Sequence, residues 1–146
     1  MSLVNDYLTQ LEQTLRNLSR DEIEAVVDAL LDNVRAGRQV FIIGNGGSAA
    51  TASHMMNDLN KYTLVPGGPR FRALAFTDNV PLLTAWGNDA AYEDVFVEPL
   101  RNFLRPGDLL IAISTSGNSP NVVKAVEYAN ASGALTVGFV GNDGGK

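Results

Sequence analysis

The stretch FIIGNGGSAATASHMMND, residues 41–58, decides the fold. A short aliphatic run stops at Gly44, gives way to Asn45-Gly46-Gly47-Ser48, and is followed by a segment of helical texture. Glycines in such a turn admit positive φ and let a ligand approach the main chain, and a helix start offers unpaired N–H groups with a partial positive charge. An anionic or polar guest suits it; so does a plain turn from strand to helix with Ser48 as N-cap. GNGGSA lacks the last glycine of the dinucleotide fingerprint, and no GK[ST] follows as in a Walker loop, so no nucleotide cofactor is expected.

Outward from this turn the same texture repeats. VFII at 40–43, RALAF at 72–76, DLLIAI at 108–113 and ALTVGFV at 134–140 read as strands. Nearly continuous apolar strands imply a sheet covered on both faces, hence parallel, within an α/β domain. Helices are predicted between them at about 47–60, 80–86, 90–103 and 119–132. Ahead of the sheet, Leu3, Leu8, Leu11, Leu15 and Leu18 recur at helical spacing over 3–17. Ser19 to Glu22 then forms a capping box for a second helix ended by Gly37. The reading is one domain over 1–146, a helical pair at 1–37 followed by an α/β core at 38–146.

A second polar turn, Ser114-Thr115-Ser116-Gly117-Asn118-Ser119-Pro120, follows the third strand. Pro120 suits the first helical position after Ser119 as N-cap. One cap needs one hydroxyl, whereas four at a helix start make a concave donor set suited to a phosphate monoester. In an open parallel sheet, ligands bind beyond the carboxyl ends of the strands, where both polar turns fall.

Composition narrows the partners. The 146 residues carry a net charge of −5 and no cysteine. With the basic residues scattered, nucleic acid is not expected as a partner, and thiolate metal sites, disulfides and a cysteine nucleophile are excluded. No apolar run approaches the roughly 18–20 residues of a membrane span, and the N-terminus lacks a signal-peptide pattern, so a cytoplasmic protein without membrane contact is expected.

The NGGS turn, the STSGNS turn and the later GNDG at 141–144 resemble the SIS (sugar isomerase) domain family, and within it the phosphoheptose isomerase group. The resemblance covers nearly the whole chain. It implies an α/β three-layer sandwich with a parallel sheet, flavodoxin-like, and a homotetramer with sites between subunits. The implied substrate is a phosphosugar, sedoheptulose 7-phosphate, isomerised between ketose and aldose. Ser114, Thr115, Ser116 and Ser119 would then hold the phosphate, while Asn45, Gly46, Gly47, Ser48, Asn88 and Asp89 would meet the sugar. The rival reading of the same fold is a non-catalytic sensor or adaptor.

His54 and Asp58, four apart on the helix after the first turn, share a face and suit proton transfer or metal ligation, although a lone histidine is more often structural. In the family the matching positions carry a His and a Glu implicated in zinc binding and proton transfer. The resemblance thus implies His54 and Asp58 as catalytic residues and zinc ligands, with zinc as the possible cofactor. Asp58 is one methylene shorter than that Glu, and a general base must come within about 3 Å of its proton or work through a water. The family also continues into a helix and strand that bring a Gln and a His to the site; these are expected to be missing from a chain ending at Lys146. Asp78, at the end of the second strand, is a further candidate, and Asp89 also suits the N-cap of a helix beginning near Ala90. Trp86, Tyr92, Phe96 and Phe103 read as core or subunit-interface residues.

Overall fold

The computed structural model describes residues 2–146. Two helices, α1 (Leu3–Asn17) and α2 (Arg20–Arg35), precede β1 (Gln39–Gly44), α3 (Gly47–Lys61) and β2 (Arg72–Ala75). There follow α4 (Val80–Asp89), a 3-10 turn (Tyr92–Asp94), α5 (Val97–Phe103), β3 (Leu109–Ser114), α6 (Pro120–Ala131) and β4 (Leu135–Val140). The four strands form one sheet in the order β2-β1-β3-β4, every pair parallel.

Alternation along β1 explains the layers. Phe41 and Ile43 pack with Leu110 and Ala112 of β3 beneath α5 and α6, and Phe41 stacks on Phe76 with ring centroids 5.3 Å apart. Val40 and Ile42 point to the opposite face, where Ala52 and Leu59 of α3 and Leu30 of α2 cover them. Both faces of the central strands are therefore dry, and each large side chain sealed there contributes about 1.5–3 kcal/mol. At the other end of the strands, the buried Asp108 carboxylate accepts from the backbone N–H of Gln39 at 2.9 Å and of Arg105 at 2.8 Å, tying the starts of β1 and β3 together.

The segment 90–103 departs from its predicted single helix. The structure carries α4 on to Asp89, breaks at Ala90, makes a short 3-10 turn and begins α5 only at Val97. Pro99 supplies the reason. Inside a helix begun at residue 90 it would remove a hydrogen bond and clash with the preceding turn, whereas in α5 it falls in the first turn, where that donor is not needed. Asp89 is accordingly the last residue of α4 and caps no following helix. Among the described residues no helix is long and apolar enough to cross a membrane.

Candidate active site

Strand order reverses direction at β1 and β3: the chain leaves β1 for the β2 side and leaves β3 for the β4 side. The turns after these two strands therefore diverge from a crevice at the switch point. A cavity of about 210 Å³ lies there, lined by Asn45 and Ser48 from the first turn and Ser114, Thr115, Ser116 and Ser119 from the second. Residues 69 apart in sequence converge because β1 and β3 are paired in register, Gly44 beside Ile113.

The backbone of each turn explains its composition. Gly46, the N-cap residue of α3, has φ 55° and ψ −119°, a conformation that a side chain makes costly. Gly117 has φ 64°, and a Cβ there would lie 2.5 Å from the carbonyl oxygen of Gly144. Neither Gly46 nor Ser119 caps its helix through a side chain; Pro120 has no N–H and the N–H groups of Ser48, Ala49 and Val122 bond back to carbonyls of their own turns, which leaves Gly47 N–H at the start of α3 and Asn121 N–H at the start of α6.

The four hydroxyls divide by role. Ser114 is buried and its Oγ accepts from the buried N–H of Gly117 at 3.2 Å, which shapes the turn. Ser116 Oγ accepts from the N–H of Asn118 at 3.2 Å and keeps its own O–H to donate. Thr115 is exposed at the rim. Asn142, absent from the sequence candidates, also lines the cavity, with φ 51° in the GNDG segment. Non-glycine residues at positive φ are uncommon and Asn is among those that tolerate it, which was the available signal.

His54 and Asp58 occupy the neighbouring groove, of about 740 Å³, on the exposed side of α3. His54 Nε2 stands 3.3 Å from Asp58 Oδ2, with the two side chains 76% and 46% exposed, so this histidine is not a packed structural one. Ile113 borders both the groove and the two-turn cavity, which makes them adjoining parts of one depression. Along α3 the rise from Ser48 to His54 is about 9 Å.

Other candidates stand apart. Asn88 and Asp89 are exposed at the end of α4, where Asn88 Nδ2 donates to Asp89 Oδ1 at 2.7 Å, and neither lines the cavity. Asp78 accepts from Ser53 Oγ, which lies 3.0 Å from Thr77 Oγ1, and so braces α3 against the end of β2. Phe96 is core and Trp86 packs against it, and Phe103 is half exposed. Of the two places expected for Tyr92, core or subunit interface, the core is excluded: it is 62% exposed and its hydroxyl donates to Asn45 Oδ1 at 3.1 Å. A polar phenol end has a hydrogen-bond partner at the site, so the ring has no reason to enter the core.

A parallel sheet with a polar-turn cavity at its switch point and an exposed His–Asp pair beside it has the form of an α/β small-molecule site. The sequence profile of the SIS domain matches residues 5–141. A phosphoheptose isomerase of Chlorobaculum parvum is 39% identical over 140 residues, covering 95% of this chain and 67% of that protein. One from Akkermansia muciniphila is 44% identical over 126 residues, covering 86% of this chain and 66% of that protein. The structure of phosphoheptose isomerase GmhA from Neisseria gonorrhoeae superposes with a TM-score of 0.83 at 30% identity, covering 99% of this chain and 78% of that one. The chain belongs to the SIS domain family and, within it, to the phosphoheptose isomerase group. It spans about two thirds of the length of the two curated relatives.

Proposed function

We propose that the protein is an aldose–ketose isomerase that converts sedoheptulose 7-phosphate to D-glycero-D-manno-heptose 7-phosphate through an enediol. The observation that carries this reading is the adjacency of a hydroxyl-lined cavity at two helix starts to the His54–Asp58 pair across Ile113. The phosphate sits against Ser116, Ser119 and Thr115, with Ser114 holding the turn in shape. Asn45 and Ser48 orient the sugar's oxygens, and Gly46 and Gly47 give close backbone access; Asn88 and Asp89, which do not line the cavity, are given no role within it.

The reaction is internally redox-neutral. A base takes a proton from C1 of the ketose, the C2 oxygen gains a proton to give the enediol, a proton then adds to C2, and the C1 hydroxyl gives up its own to leave the aldehyde. Asp58 is the base in this scheme and His54 its electrostatic partner. Zinc also fits the pair. An imidazole nitrogen and a carboxylate oxygen are both ordinary zinc donors, and here they stand 3.3 Å apart on an exposed helix face. His54 and Asp58 would supply two ligands, and among the described residues no cluster of three or more His, Cys, Asp or Glu adds a third. When bound, such an ion supplies Lewis-acid polarisation of a carbonyl oxygen.

A homotetramer accompanies this reading. No residue of α1 is buried, and Leu3, Tyr7, Leu8 and Leu15 are more than half exposed on a helix that a monomer gives little reason to fold. We place the enzyme in the cytoplasm on its cysteine-free sequence.

The test is incubation with sedoheptulose 7-phosphate in deuterated water, following incorporation at C1 and C2 by NMR. Asp58→Asn should lower both exchange and turnover by about 10²-fold or more, the usual span of a general base. Unaltered turnover in that variant removes Asp58 from the mechanism, and no exchange by the parent enzyme removes the isomerase reading. Light scattering on an eluting column should give four chains per particle; a monomer would overturn the assembly.

A further inference from the structure

Asn45 is the one cavity-lining side chain whose hydrogen bonds reach two other elements. Its Nδ2 donates to Asn121 Oδ1 at 2.9 Å, while its Oδ1 accepts from Asn121 Nδ2 at 2.9 Å and from the Tyr92 hydroxyl at 3.1 Å. The two carboxamides form a closed reciprocal pair, and the third bond fills the remaining lone pair of Asn45 Oδ1. What Asn45 has left is a single amide N–H, on a residue that lines the cavity.

Asn121 itself has little other reason for its chemistry. It sits one residue inside α6, is 2% exposed, and occupies a buried helical position where an apolar residue would cost less. Its carboxamide is satisfied by a residue 76 positions away on the opposite turn. The bond thus joins the sugar-side turn after β1 to the helix whose start forms the phosphate-side turn. Tyr92 approaches from the 3-10 turn, which is itself fastened to α6 by Lys124 Nζ on Asp94 Oδ1 at 2.5 Å.

We propose that Asn121 and Tyr92 are positioning residues that act through Asn45: together they commit its oxygen and hold its last N–H as a fixed donor to an oxygen of the open-chain sugar. An amide oriented in advance does not pay ordering entropy when substrate arrives, and it presents only donor character, so it selects an acceptor such as a carbonyl or enediolate oxygen. This inference rests on the phosphosugar reading of the site.

The experiment is a pair of double-mutant cycles on the full chain, Tyr92→Phe with Asn45→Ala and Asn121→Ala with Asn45→Ala, assayed with sedoheptulose 7-phosphate and monitored by thermal melting. Tyr92→Phe deletes one exposed hydroxyl and should leave the melting temperature unchanged while lowering kcat/KM by about 3- to 10-fold, the value of one hydrogen bond. In the Asn45→Ala background the same change should have no further effect, because the group it positions is gone. Asn121→Ala should cost about tenfold or more in kcat/KM and likewise fall silent without Asn45. If Asn121→Ala fails to fold, the Tyr92 cycle decides alone. Additive losses in the two backgrounds, or unchanged kinetics in Tyr92→Phe, overturn the inference while leaving the isomerase reading intact. Absence of turnover by the parent enzyme removes both.

Discussion

Among the helices entered from a polar or glycine N-cap residue, starts are of two kinds; α5, entered from Phe96, has no side-chain cap either. Away from the crevice, α1, α2 and α4 close their first turns with their own side chains: Ser2 accepts from Asn5 N–H at 3.3 Å, Ser19 from Glu22 at 3.2 Å and Asn79 from Leu82 at 3.1 Å. At the crevice, α3 begins at Gly46 and α6 at Ser119 with no side-chain cap. The contrast cannot come from residue type, since Ser19 and Ser119 are both serines at N-cap positions with similar backbone angles, φ −66° and φ −62°. One hydroxyl is spent on its helix and the other is available to a guest. A helix that leaves its first N–H groups open gives up the stability of a cap and gains an anion site.

Breaking the contrast at the crevice should cost the most. The double variant Ser116→Ala/Ser119→Ala removes two donors from a dianionic phosphate, and at about 1.5–3 kcal/mol for each bond to a charged group the loss of affinity should reach about 10²-fold or more. Thermal stability without ligand should barely change. Isothermal titration with sedoheptulose 7-phosphate reads the first quantity and calorimetric melting the second; equal affinity in the double variant would mean that the phosphate sits elsewhere. Ser114→Ala should behave in the opposite way. Its hydroxyl serves the buried Gly117 N–H, so its removal strands that donor and should cost about 1–3 kcal/mol of stability, seen as a lower denaturant midpoint. Ser19→Ala should cost about 1 kcal/mol with KM unchanged, the mirror image of Ser119→Ala.

The same distinction governs what could be read from residues alone. β1 and β3 were legible because their apolar runs are buried on both faces. β2 and β4 were legible from their apolar composition, although β2 buries one face only and β4 is largely exposed, against the expected two-sided cover. The two turns were legible because glycine and clustered hydroxyls have few other reasons to follow a strand. His54 and Asp58 were legible as a helical pair by spacing, and the structure brings them to 3.3 Å. The division of labour among Ser114, Ser116 and Ser119 was not, since four hydroxyls in one turn look alike until the backbone decides which N–H each meets. Asn121 was invisible for a different reason: its partner lies 76 residues away, and nothing local distinguishes an amide that bonds across the crevice from one that faces water. The bond of Tyr92 to Asn45 was hidden likewise, because an aromatic residue reads as core or subunit interface when its hydroxyl partner is unknown.

The smallest effect concerns the strut behind this arrangement. Lys124 and Asp94 join α6 to the 3-10 turn that carries Tyr92, and the Asp94 carboxylate, by its hydrogen bond, raises the lysine pKa above its ordinary value of 10.5. A cation whose pKa is higher in the folded state contributes stability that is fully present below the unfolded value and is lost as pH rises through the folded one. Lys124→Met should therefore lower the melting temperature slightly and by the same amount from pH 7 to about pH 9, with the difference from the parent closing only above 10.5. Because both side chains are partly exposed, added salt should shrink the difference further. If the pair also steadies Tyr92, kcat/KM in Lys124→Met should fall by less than in Tyr92→Phe and should fall no further when both changes are combined; an independent loss would make the ion pair a support of the fold alone.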